Sequence, residues 1–304
     1  MFTHSPVLMQ EVTDLMNLRG DGIYIDATFG RGGHAKALLT NLSAQARLLA
    51  FDRDPEAEKA AKTFSLEDPR LEFFRGPFSQ LSRVTSHAVE QVDGVLFDLG
   101  VSSPQLDDPN RGFSFRFEGP LDMRMDPSCE VSAATWVNSA SEAEISDVLW
   151  KFGDERKSRH IARKILGARI TKPIETTREL ATIIRSCFRY QGGRLDPATR
   201  SFQAIRVHIN DELTEIERGL ESALNLLAVK GRLLIISFHS LEDRLVKHRF
   251  KKLDLLTRDL TREEKLEAPA YRIVKPNLFR ATEAEKAVNP RARSAKLRVI
   301  ERCL

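Results

Sequence analysis

Three aspartates, Asp26, Asp52 and Asp98, each close a short apolar run in the sequence: "IYID", "LLAFD" and "GVLFD". A carboxylate at the end of a buried strand stands in the crevice where open α/β sheets hold their ligands. One such residue often does no more than cap the next turn. Three together make an acidic pocket, and an acidic pocket attracts a cation. Between the first run and the helical pattern starting at Ala35 the chain reads "DATFGRGGHAKALL", in which Gly30, Gly32 and Ala35 follow the spacing G-x-G-x-x-G/A of dinucleotide loops. Taken alone that spacing is a weak signal, and Asp26 separates its two uses. A helix N-terminus welcomes a pyrophosphate, but a carboxylate beside it repels one. A sulfonium or an ammonium is attracted instead. S-adenosylmethionine carries both and no phosphate, and Asp52 is placed to accept hydrogen bonds from a ribose diol. The carboxylates therefore favour this cofactor over a nicotinamide dinucleotide.

Three strand ends can share a pocket only if a sheet sets them side by side. The runs at 23–26, 48–52, 71–74 and 94–98 alternate with helix-like stretches such as "HAKALLTNL" and "PEAEKAAKTF", which predicts a parallel sheet with crossover helices. From about Val101 to Gln203 the pattern turns helical: "AATWVNSASEAEISDVLWKFG", "ERKSRHIARKILGARI" and "TTRELATIIRSCF", the last opened by a Thr176/Glu179 capping box. Strand character returns in "GRLLIISF", a helix follows in "LEDRLVKHRFKKL", and "KLRVIER" reads as a final strand. The economical architecture is one α/β sheet interrupted by a helical insertion, for which 304 residues are ample. A 41% hydrophobic, 30% charged composition is that of a soluble protein, and a net charge of +4 is compatible with a nucleic-acid partner without requiring one. The start "MFTHSPVLMQEV" lacks a basic stretch before an apolar core, and no later run approaches a membrane span, so a cytoplasmic location is expected. Cys129, Cys187 and Cys303 are scattered, without a CxxC, which predicts a reducing compartment and no metal site.

The stretch after Asp98, "DLGVSSPQLDDPNRGFSFRFEGPLDMRMDP", together with "DATFGRGGH", "SFQAIRVHINDEL", "ISFHSLEDRLVK" and "NPRARSAKLRV", resembles the bacterial 16S ribosomal RNA cytosine-N4 methyltransferases of the MraW/RsmH family. The resemblance runs from "HSPVLMQEV" to the C-terminus. It implies a Rossmann-like class I methyltransferase core, mostly a parallel sheet, built from residues 1–107 and 207–304 around a mainly helical substrate-recognition domain at 108–206. It implies that S-adenosyl-L-methionine is held by Gly32, Gly33, His34, Asp52, Phe78 of "GPF" on the adenine side, Asp98 and Gln105; His4 matches as well, with no argument of its own. The implied substrate is a cytidine in the decoding region of 16S rRNA, met on the small ribosomal subunit, with no membrane or metal involved and the choice of monomer or homodimer open. One departure is visible: where the family has His-Pro-Ala-Thr-Arg, this chain has Asp196-Pro197-Ala198-Thr199-Arg200.

Methylation of an exocyclic amine moves positive charge from sulfur to nitrogen, and a fixed carboxylate nearby can follow it. Asp98 is the candidate, with cofactor binding alone as the alternative role. DNA amino-methyltransferases carry an Asp/Asn/Ser-Pro-Pro-Tyr motif here; this chain has Asp98-Leu99-Gly100-Val101-Ser102-Ser103, so an aromatic base platform must come from elsewhere. The target base must leave its stack. Phe113, Phe115 and Phe117 interleave with Arg111, Arg116 and Arg124. Stacking with phosphate contact is one reading; for the phenylalanines an alternating strand facing the core is preferred, whereas Arg111 and Arg124 read as RNA contacts. The charges Arg156, Lys157, Arg159, Arg163, Lys164, Arg169 and Lys172 fit a solvated helix face as well as a phosphate surface. Arg291, Arg293 and Lys296 form a denser cluster better placed for phosphates. His239 and Ser240 follow the fifth strand at the aspartate rim, where a histidine is more often structural than catalytic. Three rival classes remain: a nicotinamide oxidoreductase, disfavoured by Asp26; a non-catalytic RNA-binding assembly factor; and a DNA amino-methyltransferase.

Overall fold

The computed structural model describes residues 6–87, 89–189, 196–261 and 269–303; His4 lies outside them. The chain divides into two compact units, Met1–Gly100 with Leu213–Leu304, and Val101–Glu212. The inserted unit therefore begins at the turn directly after the fourth strand, seven residues before the expected 108, and ends at Glu212 rather than at 206.

In the first unit, seven strands among the described residues form one sheet in the order β3-β2-β1-β4-β5-β7-β6. They are β1 (Ile23–Asp26), β2 (Arg47–Asp52), β3 (Leu71–Arg75), β4 (Val92–Asp98), β5 (Leu227–Ser237), β6 (Tyr271–Ile273) and β7 (Lys296–Arg302). β1 to β5 are parallel, and β7 runs against both of its neighbours. This is the Rossmann-like class I arrangement that the resemblance implied. The short β6 carries no apolar run of its own, so nothing in the sequence marks it.

Strand residues alternate between two cores, as the two-residue period of a strand requires. Tyr24, Leu48, Ala50, Leu96 and Leu234 enter one core with α1 (Met9–Leu15), α2 (Gly33–Thr40) and α3 (Pro55–Glu67). Ile25, Leu49, Phe51, Val95, Phe97 and Ile235 enter the other, with α10 (Glu212–Leu226) and α11 (Ser240–Asp259). Burial on both faces explains why the strands read as near-continuous apolar runs. Local signals set the helix starts: the Asp54 side chain accepts the Glu56 N–H ahead of Pro55 to open α3.

The inserted unit has its own core, around Phe113, Trp136, Leu149, Ile161, Leu180 and Phe202. Its helices are α4 (Ser103–Asp107), α5 (Ala133–Ser139), α6 (Glu142–Gly153), α7 (Ser158–Thr171), α8 (Thr177–Ser186) and α9 (Ala198–Ile209). The capping box of Thr176 and Glu179 opens α8 as predicted. The alternating phenylalanine stretch does not form a strand: among the described residues it finds no partner, and the nearest pairing is a single bridge between Pro120 and Thr176. Phe113 is buried and Phe115 packs edge-on to Phe202, while Phe117 is 56% exposed. The last helix, α12 (Glu283–Val288), precedes β7 in the first unit.

Candidate active site

β1 and β4 are neighbours where the order of strand addition reverses, β1 to β3 going one way and β4 to β5 the other. Open α/β sheets bind ligands at that point. Asp26 is opposite Leu96 of β4 and Ala50 of β2. Asp98 and Asp52 stand one strand period beyond those partners, so all three carboxylates face the same side of the sheet, the side of α2. The sheet register alone brings the three residues together.

The loop from β1 to α2 locks them. The Thr28 N–H donates to Asp26 Oδ1 at 3.1 Å, and Thr28 Oγ1 accepts the Asp98 N–H at 2.7 Å. The Gly30 N–H donates to Asp52 Oδ2 at 2.8 Å, and the Asp54 N–H to Asp52 Oδ1 at 2.9 Å. Gly30 and Gly32 have φ of +55° and +77°, a left-handed backbone that a side chain would strain. Gly33 is glycine for another reason: a Cβ there would meet Pro6 Cγ at 2.5 Å. Its role is close packing of the N-terminal segment.

His34, in the first turn of α2, is buried on the carboxylate side, with Nε2 3.6 Å from Asp98 Oδ2. Among the described residues neither of its nitrogens has a hydrogen-bond partner, nor do the buried Asp26 Oδ2 and Asp98 Oδ1. A buried polar atom left unsatisfied costs about 1–3 kcal/mol. Four such atoms in one cluster mark a site that a ligand's own polar groups would complete. The electrostatics agree. Asp26 is pushed up to about 6, chiefly by burial, which outweighs His34 and the Thr28 N–H, with smaller additions from Asp98 and Asp52. Burial also holds Asp52 above the ordinary carboxylate range, against the backbone N–H groups of Asp54 and Gly30. His34 is desolvated, which opposes its protonation, yet Asp98 and Asp26 outweigh burial and hold its imidazole above the usual value. The pocket carries excess negative charge and unfilled acceptors. A ligand with positive charge and N–H or O–H donors fits it, and a pyrophosphate does not.

Other expected residues lie elsewhere. Phe78, just after β3, is half-buried and packs edge-on to Phe97 at 5.2 Å against Gly219 of α10, in the core on the opposite face from the carboxylates. Gln105 belongs to the inserted unit, where it is buried and its Oε1 accepts the Ser102 N–H as a helix cap. Arg111 and Arg124, expected as RNA contacts, are committed inside that unit. Arg111 donates to the carbonyls of Arg124 and Met125; Arg124 chelates Asp122 and donates to the Cys129 carbonyl. Their guanidinium groups build the loop. Lys296 pairs with Asp243 of α11 at 2.8 Å, beside Arg298 on the same carboxylate, so it pins β7. Arg291 is half-buried, and Arg293 is exposed. His239 sits at the N-cap position of α11 with Nε2 2.9 Å from Glu242 Oε1, and the cap is made by Glu242, whose Oε2 accepts the Phe238 and His239 N–H groups. Asp196 grips Arg185 through both carboxylate oxygens and accepts the Ala198 N–H at the start of α9. In this chain the departure from histidine supplies a cap and an ion pair.

Sequence reasoning missed Thr28, which ties Asp26 to Asp98. The signal was present: an Asp followed two residues later by a polar residue in a turn is an Asx-turn pattern. For His34 the sequence offers only the family match, since nothing local says that the helix faces the carboxylates.

A family model described as the MraW methylase family matches residues 1–303. A relative from Stenotrophomonas maltophilia (strain R551-3), named ribosomal RNA small subunit methyltransferase H, is 50% identical over 98% of this chain and 93% of its own. One of the same name from Xanthomonas euvesicatoria pv. vesicatoria (strain 85-10) is 49% identical over 98% of this chain and 88% of its own. Among solved structures, an rRNA methylase from Streptococcus thermophilus aligns over 97% of this chain and 94% of its own at 12% identity and a TM-score of 0.42. With half its residues shared with such relatives and the family pattern matched along its length, the chain belongs to the MraW methylase family.

Proposed function

We propose that this protein is an S-adenosylmethionine-dependent methyltransferase that modifies N4 of a cytidine in the decoding region of 16S rRNA, on the small ribosomal subunit in the cytoplasm. The relatives' names support the substrate class. The observation that carries the chemistry is the buried group Asp26, Asp98 and His34 with polar atoms left unpaired at the strand switch point. When bound, S-adenosylmethionine supplies a methyl group on a sulfonium. Asp26 and Asp98 would hold its positive charge, and Asp52 would accept from its ribose hydroxyls. Asp98 is also placed to follow the charge that develops on the cytosine amine: its backbone is fixed by Thr28, one oxygen faces His34, and the other lacks a partner. The amine loses a proton as the methyl group arrives, and the Asp98/His34 pair offers a nearby acceptor. The inserted unit, Val101–Glu212, recognises the substrate.

The test uses small subunits from a strain lacking the protein, a labelled methyl donor and nucleoside mass spectrometry. Label in N4-methylcytidine from a decoding-region fragment is expected. Label on another base, or on duplex DNA and not on subunits, would overturn the reading.

A further inference from the structure

The exposed face of α11 sorts its charges in an unusual way. The helix is twenty residues, about 30 Å long. It leaves the carboxylate rim directly, since β5 pairs Ile236 with Asp98 and the helix begins four residues later at Ser240. All of its acids but the last, Asp259, turn inward. Glu242 caps the helix start, Asp243 grips Lys296 and Arg298, and Asp254 accepts the Ile273 N–H and pairs with Arg258. Arg249 pairs with Glu221. Outward, Arg244, Lys247, His248, Lys251 and Lys252 are all exposed. Among the described residues none of these five forms an ion pair or a side-chain hydrogen bond.

Like charges three or four residues apart destabilise a helix. Here Arg244 and Lys247 stand three residues apart and Lys247 and Lys251 four, with Lys252 beside them. A merely solvated face mixes signs, as α3 does, where Lys59 pairs with Glu56 and Lys62 with Glu58. The face of α11 keeps its repulsion over about 12 Å, which one linear polyanion would relieve. A membrane surface fits less well. The apolar residues Val246 and Phe250 are buried in the sheet core, leaving only Leu255 and Leu256 exposed, beyond the cationic rows.

We propose that the Arg244–Lys252 face of α11 is a track for the phosphodiester backbone of the substrate RNA, leading away from the rim that bears Asp98. This rests on the functional reading above. It is tested with the full chain carrying Arg244→Gln, Lys247→Gln, Lys251→Gln and Lys252→Gln together. Binding to small ribosomal subunits is measured over a series of salt concentrations, and S-adenosylhomocysteine affinity is measured by calorimetry as a check of the fold. Four phosphate contacts on single-stranded RNA predict a slope of log K against log salt shallower by roughly 3. At moderate salt the subunit dissociation constant should rise about tenfold or more, with cofactor affinity unchanged. Wild-type protein that binds and methylates subunits, alongside a variant with the same salt slope, would overturn the track alone. Wild-type protein that neither binds nor methylates subunits would overturn the functional reading and the track with it. Loss of binding to phosphatidylglycerol vesicles, with subunit binding intact, would overturn the track in favour of a membrane surface.

Discussion

The two units treat their buried polar groups in opposite ways. In the inserted unit nearly every one is used. Asn210 takes the Met125 N–H and donates to the carbonyls of Met123 and Arg206, Arg206 chelates Glu212, and Arg169 closes on the carbonyls of Val137 and Ala140. Its one buried side-chain atom without a partner, among the described residues, is the hydroxyl of Ser201. In the sheet unit the idle atoms belong to ionisable groups, and Asp26, His34 and Asp98 are adjacent at one rim. The first pattern is that of charges holding loops in shape. The second is that of a site held ready for a ligand, at a cost in stability.

The contrast can be broken at its strongest point. Asp98→Asn keeps shape and removes charge, so it should lower the single-turnover methyl-transfer rate on small subunits by roughly ten- to a thousandfold at saturating cofactor. A normal saturated rate with weaker cofactor binding would leave Asp98 as a binding group only. Asn210→Ala should do the reverse: it strands buried backbone groups, costs about 2–4 kcal/mol of stability, and leaves S-adenosylhomocysteine affinity within twofold. Both tryptophans, Trp136 and Trp150, belong to the inserted unit, so urea unfolding followed by tryptophan fluorescence reports that unit. An unchanged midpoint would contradict the role given to Asn210.

Asp26→Asn should stabilise the protein in the absence of added cofactor. The folded carboxyl titrates near 6 rather than 3.8, so the folded state binds the proton more tightly. Stability from this group is therefore full below about pH 4 and is lost as pH rises through 6. Asparagine cannot ionise, and the gain at pH 8 should be about 1–3 kcal/mol, shrinking towards zero near pH 4. The same variant should bind S-adenosylhomocysteine less tightly. Equal stability of both proteins at pH 8 would contradict the electrostatic account. The smallest effects separate two neighbours in sequence. Lys296→Gln should cost up to about 1 kcal/mol and leave the salt dependence of subunit binding alone, whereas Arg293→Gln should cost no stability and flatten the salt slope by roughly 0.7. The opposite assignment would return Lys296 to the RNA surface.

Much of this arrangement was legible in the residues. An apolar run ending in Asp states both a strand and its exit, and parity in the sheet then decides which way the carboxylate faces. The three carboxylates could be grouped on that basis, and the alternation of runs and helices pointed to a parallel sheet with crossover helices. What could not be read depends on partners that leave no trace in sequence. Arg111 and Arg124 bind carbonyls, and any residue has a carbonyl. Phe113 to Phe117 alternate like a strand, but a strand also needs a neighbour, and the insertion offers none. β6 has only three residues and exists because β7 is beside it.

The inserted unit also has a consequence in time. Asp26, Asp52, Asp98 and His34 all leave the ribosome within the first stretch of synthesis, before Val101–Glu212 and long before β5. Until β5 arrives, β4 has one edge unpaired, and such an edge is open to wrong partners. Joining β4 to β5 across so long a segment is slow if the segment is a loose coil. A segment with its own hydrophobic core can collapse first and shorten the effective loop. Folding order is thereby tied to chain order: first the carboxylate rim, then the insertion, and last the seam that completes the sheet.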